Sequence, residues 1–466
     1  MKKPNYIIDF EGELSDKRLE DRARKVVSAL VISRTSSVHG STLTEADQKG
    51  FYRFLDNENV SEAELISSLT KRCKRNVQGK DVLVIQDSSS YGLGHLKESI
   101  EEDSGLGLVG NKMGLGFLTH ISLVLDAQTE DLLGYSDVQL WHRKEDKSNN
   151  TTRIYKQQPI EEKESYKWIK ASESSKAILS EAATITIIED REGDIYDQFC
   201  TVPDDRTDLI IRSRSDRKLA DGSSMDETIK KSKSLGQLSI PIIKDLRKQK
   251  IARIAQAEIK VCKVELERPH GKYINKELPK SKELFVVNVQ EKSNVKIKDP
   301  IHWRILTTIE VRTGEDAEKI IERYKQRWYI EQLFRLTKKQ GFKIEQTQLK
   351  NGWGIRKLYL LVLAAALKVM QLYLAYGVEK SQPITNVFDE KEIECLEKIE
   401  QKLKVTEATT NPYSPKVLAW ASWIIGRLGG WKGNPNQRPP GPIILLKGVE
   451  KFENIYEGWK LASNYT

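Results

Sequence analysis

The chain has little cysteine and little histidine. Its four cysteines, Cys73, Cys200, Cys262 and Cys395, include no CxxC pair. Neither a disulfide framework nor a cysteine-bound zinc is indicated, and a reducing compartment fits. The six histidines (39, 95, 120, 142, 270 and 302) lie far apart with no HExxH spacing. A histidine-bound zinc and a Ser-His-Asp triad are therefore unsupported. The opening "MKKPNYIIDFEGEL" has no apolar run of the kind a signal peptide needs, so none is expected. The most apolar stretch, "LYLLVLAAALKVMQLYLAYG", is broken by Lys368 and reads as a core helix rather than a membrane span. No internal repeat or long low-complexity tract is evident. With 466 residues, 38% hydrophobic and 31% charged, the chain has room for two to four domains and a sizeable core.

What the chain does have is positive charge in one place. The net charge is +9, from 76 Lys and Arg against 67 Asp and Glu. Between Arg212 and Pro300 stand 22 basic and 12 acidic residues, so the rest of the chain is almost neutral. Such a local surplus points to contact with a polyanion, most simply nucleic acid; a solubilising lysine-rich surface is the alternative.

Along the chain, residues 1–75 read as helical and basic on one face, with Ser15 or Asp16 capping "KRLEDRARKVVSALV" and a second helical patch around "EADQKGFYRFLDNENVSEAELISSL". "DVLVIQD" reads as a buried strand ending at Asp87. "GFLTHISLVLD" and "LLGYSDVQLW" read as a hairpin. A helix follows, then a second buried strand, "ATITIIED", ending at Asp190, and a further strand, "DLIIRSR". Strand, strand, strand, helix, strand is the order of an RNase H-like α/β sheet. The basic segment 212–300 has period-2 runs and reads as β-rich, and from about residue 345 the chain is mostly helical.

The stretch "RYKQRWYIEQLFRLTKKQG", Arg323–Gly341, keeps one acidic residue, Glu331, among its lysines and arginines. At about 100° per residue, Tyr324, Arg327, Glu331 and Lys338 share one face of a helix. Tyr329, Ile330, Leu333, Phe334, Leu336 and Thr337 form the opposite, buried side. Two strands each ending in aspartate and a helix with a lone glutamate suggest three converging carboxylates. These are hard oxygen ligands suited to Mg²⁺ or Mn²⁺. A pair of such ions about 3.5–4 Å apart would neutralise them and serve in-line displacement at phosphorus.

Tyr324, Arg327, Glu331 and Lys338 satisfy Y-x2-R-x3-E-x6-K, which resembles the signature of insertion-sequence-four-type DDE transposases. "FYRFLDNENVS", "VLVIQDSSS", "EEKES", "IIEDREGDIY", "HWRILTT" and "RLGG" occur in the expected order, although likeness is thin beyond about residue 380. The resemblance implies a catalytic and metal-binding triad of Asp87, Asp190 and Glu331. It also implies phosphate grip by Arg212, Tyr324, Arg327 and Lys338, base stacking by Trp303 and Trp328, and end binding by Arg22 and Arg53. Without the resemblance, Trp303 reads as a strand tryptophan packed in the core.

The implied fold is α/β: an RNase H-like mixed-sheet catalytic core (76–211 and 301–375) with a basic β-rich insertion (212–300). A helical end-binding domain (1–75) precedes it, and a helical C-terminal domain (376–466), suited to dimerisation, follows. The implied activity is cut-and-paste DNA transposition with two Mg²⁺ or Mn²⁺ ions per site. Strand nicking, hairpin formation and opening, and strand transfer would be carried out by a homodimer bridging two inverted-repeat ends. A cytoplasmic, nucleoid-associated place and no membrane partner are expected. A metal-dependent endonuclease on the same fold and a relic that only binds DNA are the alternatives. A two-carboxylate glycosidase is disfavoured by the basic segment.

Overall fold

The computed structural model describes residues 10, 12–42, 44–101, 103–110, 114–143, 158–242, 252–270, 275–293, 297, 299–378, 381–403, 409–434 and 437–463. Three helices open the chain: α1 (Lys17–Ser33), α2 (Glu45–Asp56) and α3 (Glu62–Asn76). Asp16 caps α1, its carboxylate accepting from the Arg18 N–H. The single helical patch expected after it is two helices. The break is written in the sequence by Ser61, which forms a reciprocal capping box with Glu64.

Four strands follow: β1 (Asp81–Gly92), β2 (Gly107–Val109), β3 (Gly114–Asp126) and β4 (Leu132–Trp141). Next come α4 (Tyr166–Ile178), β5 (Thr184–Glu189), α5 (Tyr196–Thr201), β6 (Thr207–Arg212) and α6 (Met225–Lys231). The basic segment then forms β7 (Ser234–Ile242), β8 (Arg253–Glu267) and β9 (Ser281–Glu291), before β10 (His302–Thr307). Helices complete the chain: α7 (Gly314–Lys325), α8 (Trp328–Thr337), α9 (Gly352–Ala375), α10 (Glu390–Lys402), α11 (Leu418–Leu428) and α12 (Pro442–Ser463).

Two compact units divide the chain. Met1–Gln78, Ser88–Asp146 and Tyr329–Thr466 make the first; Gly79–Asp87 and Lys147–Trp328 make the second. In the second unit β5 pairs in parallel with both the start of β1 and β6. Val82 to Gln86 and Ile185 to Glu189 are buried throughout, as strands covered on both faces must be. Beyond β6 the pairing turns antiparallel, to β10, then β9, β8 and β7.

In the first unit β3 pairs antiparallel with β2 and β4. The Leu93 N–H beyond β1 donates to the Leu115 carbonyl (2.7 Å). Gly116 permits the close approach there: a Cβ would stand 2.0 Å from the Tyr91 carbonyl oxygen. This pairing explains why β1 does not stop at Asp87 as expected. "SSSYG" continues the strand because β3 offers it partners.

The α/β fold with an RNase H-like mixed-sheet core is thus present, with the β-rich insertion and helices at both ends of the chain. The apolar α9 is long enough to cross a membrane, but 94% of its apolar window is buried inside the fold. Its Lys368 reaches Glu392 of α10 (3.3 Å) and Glu453 of α12 (2.7 Å), so the interrupting charge is paired in the core.

Candidate active site

The second unit carries two aspartates just past the paired stretch of neighbouring strands. Val84 faces Ile187 and Ile85 faces Ile188 across β1 and β5, and Asp87 and Asp190 each follow two residues after that last pair. Arg327 stands close to the first: its Nη1 lies 3.0 Å from Asp87 Oδ2. Asp190 caps the short turn Arg191–Gly193, its Oδ1 accepting from the Glu192 N–H (2.8 Å). Gly193 lets that turn close, because a Cβ there would meet Glu189 Oε2 at 1.8 Å. Glu189 is itself fully buried and hydrogen-bonded by Gln198, and burial pushes its carboxyl well above the usual range.

Around the pair the unit gathers cations and rings. Arg212 ends β6 and donates through Nη2 to the His302 carbonyl (3.0 Å). Tyr324, at the end of α7, is buried; burial and the Asp190 charge raise its phenol, while Arg327 and Arg212 oppose the rise. Burial lowers the Arg212 guanidinium, and the like charges of Arg191 and Arg327 lower it further, against the pull of Tyr324. The Trp303 ring, on β10, lies 6.2 Å from that of Tyr324 at 59°. Trp303 is half-buried at this edge, not sealed in the core. Trp328 is 54% exposed. A phosphate would relieve the mutual repulsion of these arginines, and an unstacked base would find rings at hand.

In the first unit Glu331 is half-buried on α8, whose other side is closed by Ile330, Leu333, Phe334, Leu336 and Thr337. Lys338 lies just beyond α8 with Nζ 5.1 Å above the Tyr91 ring. Tyr91 is fixed by stacking on Phe117 (5.1 Å) and by its hydroxyl's hydrogen bond to Thr337 (2.6 Å). Burial lowers the Lys338 ammonium, and Glu345 offsets part of the effect. Arg22 of α1 lies 3.6 Å from Asp47 and packs over Gly50, while Arg53 is exposed on α2.

The helix expected to carry Tyr324, Arg327, Glu331 and Lys338 on one face is not continuous. Gln326 and Arg327 form a tight turn, with N–H groups reaching back three residues to Arg323 (3.2 Å) and Tyr324 (3.1 Å). Tyr324 is buried at the end of one helix rather than lying on a solvated face.

Among the described residues, no three His, Cys, Asp or Glu side chains are grouped as a metal site. Asp87 and Asp190 belong to one unit and Glu331 to the other. The donor chemistry nonetheless fits a hard divalent cation, since the aspartates offer carboxylate oxygens. Sequence reasoning missed Asp194, whose buried carboxylate binds the segment after Arg212, and His120, whose Nδ1 is 2.9 Å from Ser88 Oγ. The second aspartate of "DREGD" was the available signal for the first. Nothing local signals the second, because its partner is 32 residues away.

A family model described as transposase DNA-binding matches residues 11–60, and one described as transposase DDE domain matches residues 39–368, more than two thirds of the chain. The chain belongs to the DDE transposases. DDE transposases act in DNA transposition and generally use divalent metal ions. The cryo-EM structure of the piggyBac transposase synaptic complex with hairpin DNA is similar to this transposase at a TM-score of 0.39 and 9% identity. The match covers 95% of this chain and 73% of that one.

Proposed function

We propose that this transposase moves an insertion sequence by cut and paste, as an insertion-sequence-four-type enzyme resembling the transposase of transposon five. The observation that carries the reading is Arg327 held against Asp87 just past the β1–β5 pairing, within the cluster of Arg191, Arg212 and Tyr324 that also feels the Asp190 charge. Asp87, Asp190 and Glu331 are the catalytic carboxylates and would hold Mg²⁺ or Mn²⁺, two ions per site. When bound, the ions would sharpen the attacking oxygen and stabilise the leaving one. Arg212, Arg327 and Lys338 hold the phosphates flanking the scissile bond. Tyr324 keeps its proton, since its phenol is raised, and donates to a phosphate oxygen. Trp303 and Trp328 stack an extruded base, offsetting the few kcal/mol that unstacking costs. Four phosphoryl transfers follow in turn: a nick, attack of the freed 3′-OH to close a hairpin, reopening by water, and joining to target DNA.

Residues 1–75, with Arg22 and Arg53, read the inverted-repeat ends, supported by the match of residues 11–60 to a DNA-binding family model. The remaining assignments are a core of 76–211 and 301–375, an insertion of 212–300 and a dimerising domain of 376–466. A homodimer would bridge two ends on nucleoid DNA in the cytoplasm.

The test incubates the protein with Mg²⁺, a linear duplex carrying the DNA that flanks the coding region, and a supercoiled target plasmid. Hairpin ends and joined product are expected. Asp87→Ala, Asp190→Ala and Glu331→Ala should each lose cleavage on the order of a thousandfold while end binding stays near wild type. Nicking retained by any one of them removes that residue from the triad. Cleavage with no joined product makes the protein a nuclease, and binding with no cleavage makes it a relic.

A further inference from the structure

Asp194, at the far end of the turn that Asp190 begins, is a hub. Its side chain is 1% exposed. One carboxylate oxygen, Oδ2, accepts from the Arg214 N–H (2.8 Å) and from Ser213 Oγ (3.4 Å). The other, Oδ1, forms an ion pair with Arg217, whose Nη2 also donates to the Asp194 carbonyl (2.7 Å). Every one of these partners lies in 213–217, the segment that leaves β6 directly after Arg212. The same segment is held from its other side by β10, where the Ser213 N–H donates to the Arg304 carbonyl (2.7 Å) and Arg212 to that of His302.

A buried carboxylate costs several kcal/mol of lost hydration unless it is paired and hydrogen-bonded, and this one is both. It therefore has one low-energy arrangement, with 213–217 drawn against the Asp190 turn. Arg212 has no comparable anchor: its guanidinium meets a carbonyl, a phenol and the repulsion of Arg191 and Arg327. A cation pushed by its neighbours holds its place only if its backbone is held.

We propose that Asp194 is a positioning residue for strand cleavage, fixing Arg212 relative to Asp190 through residues 213–217. The inference rests on the cleavage reading above and goes further, since it assigns a role to a carboxylate outside the proposed triad. Asp194→Asn keeps an acceptor for the Arg214 N–H but loses the charge that holds Arg217. Misplacement by about 1 Å slows a positioned phosphoryl transfer by up to about a hundredfold. DNA affinity, spread over many phosphate contacts, should change by less than about threefold.

The experiment is a double-mutant cycle on the full chain, read as Mn²⁺-dependent nicking of supercoiled plasmid, with plasmid affinity and thermal midpoint measured beside it. Wild type, Asp194→Asn, Arg212→Ala and the double variant are compared. If Asp194 acts through Arg212, the double variant nicks no more slowly than Arg212→Ala alone. Rate losses that multiply would mean a general structural role and overturn the proposal. Should Asp194→Asn fail to fold, Arg217→Met, which leaves the carboxylate its backbone partner, enters the same cycle under the same criterion. Wild-type protein that binds plasmid but never nicks it overturns the cleavage reading, and this proposal with it. Multiplying losses in a nicking-competent wild type overturn the role of Asp194 alone.

Discussion

Arg327 Nη1 sits 3.0 Å from Asp87 Oδ2, with the two side chains only 18% and 17% exposed. A residue expected to grip phosphate thus neutralises a carboxylate expected to bind metal. A guanidinium beside a carboxylate occupies the electrostatic place that a bound cation would take.

Arg327→Met should therefore destabilise the metal-free protein, since removing a hydrogen bond to a charged, mostly buried carboxylate costs about 1–3 kcal/mol. Added Mn²⁺ should raise the thermal midpoint of the variant more than that of wild type, because Asp87 no longer has to release a guanidinium. Thermal unfolding with and without MnCl₂ checks both. An Mn²⁺ response no larger than wild type's would show that cation and guanidinium do not compete.

Trp303 reaches Tyr324 at 6.2 Å with its ring half-buried, and the proposed function has that ring stack an extruded base. Stacking on an aromatic ring is worth about 1–3 kcal/mol per base, or about 5- to 150-fold in a rate that needs the base extruded. Trp303→Ala should slow hairpin formation by that order and leave the first nick near its wild-type rate. Trp303→Phe should recover part of the loss. Denaturing gels separate nick from hairpin, and an equal loss in both steps would exclude a stacking role.

Lys338 carries a folding penalty that depends on pH. Burial pulls its ammonium below the ordinary 10.5, and Glu345 opposes only part of this. The folded state therefore binds that proton less tightly than the unfolded chain does. Below the folded pKa both states are protonated and the penalty is complete; it fades as pH rises from there through 10.5. Lys338→Met should then raise the thermal midpoint near neutrality, with the gain shrinking toward 10.5. A gain that stays constant with pH would mean that packing, not charge, is responsible.

Lys368 holds Glu392 and Glu453 together inside the helical part of the first unit. Burial alone would lower its ammonium, but the two carboxylates outweigh it and the group is raised. Lys368→Met strands both glutamates, at a cost of about 3–5 kcal/mol. Burial already raises Glu392, so in the variant the folded state binds protons more tightly than the unfolded chain, and stability should recover as pH falls. Adding Glu392→Gln and Glu453→Gln should restore most of the loss at neutral pH. Denaturant titration measures each step, and a triple variant as weak as the single one would place the defect in packing.

Much of the fold is legible in the residues because its causes are local. Nearly continuous apolar runs, Val82–Ile85 and the isoleucines of Ile185–Ile188, announce strands covered on both faces, and period-2 patterns announce the long strands of the insertion. Chain order alone then proposes the sheet, and the spacing of Tyr324, Arg327, Glu331 and Lys338 proposes the chemistry. Where β1 stops was not legible. "SSSYG" has no strand character of its own and becomes one only because β3 lies beside it. Nor was the break at Gln326 and Arg327, since a helical wheel extends any favourable period through a turn that only packing imposes.

By itself, the sequence determined which chemical groups are available and in what order the elements carry them, since periodicity, capping and charge act over a few residues. Tertiary structure alone decided which groups meet: Arg327 with Asp87, Asp194 with 213–217, Tyr324 with Trp303. Those pairs lie between 19 and 240 residues apart, and only strand register and burial bring such distant groups within bonding reach.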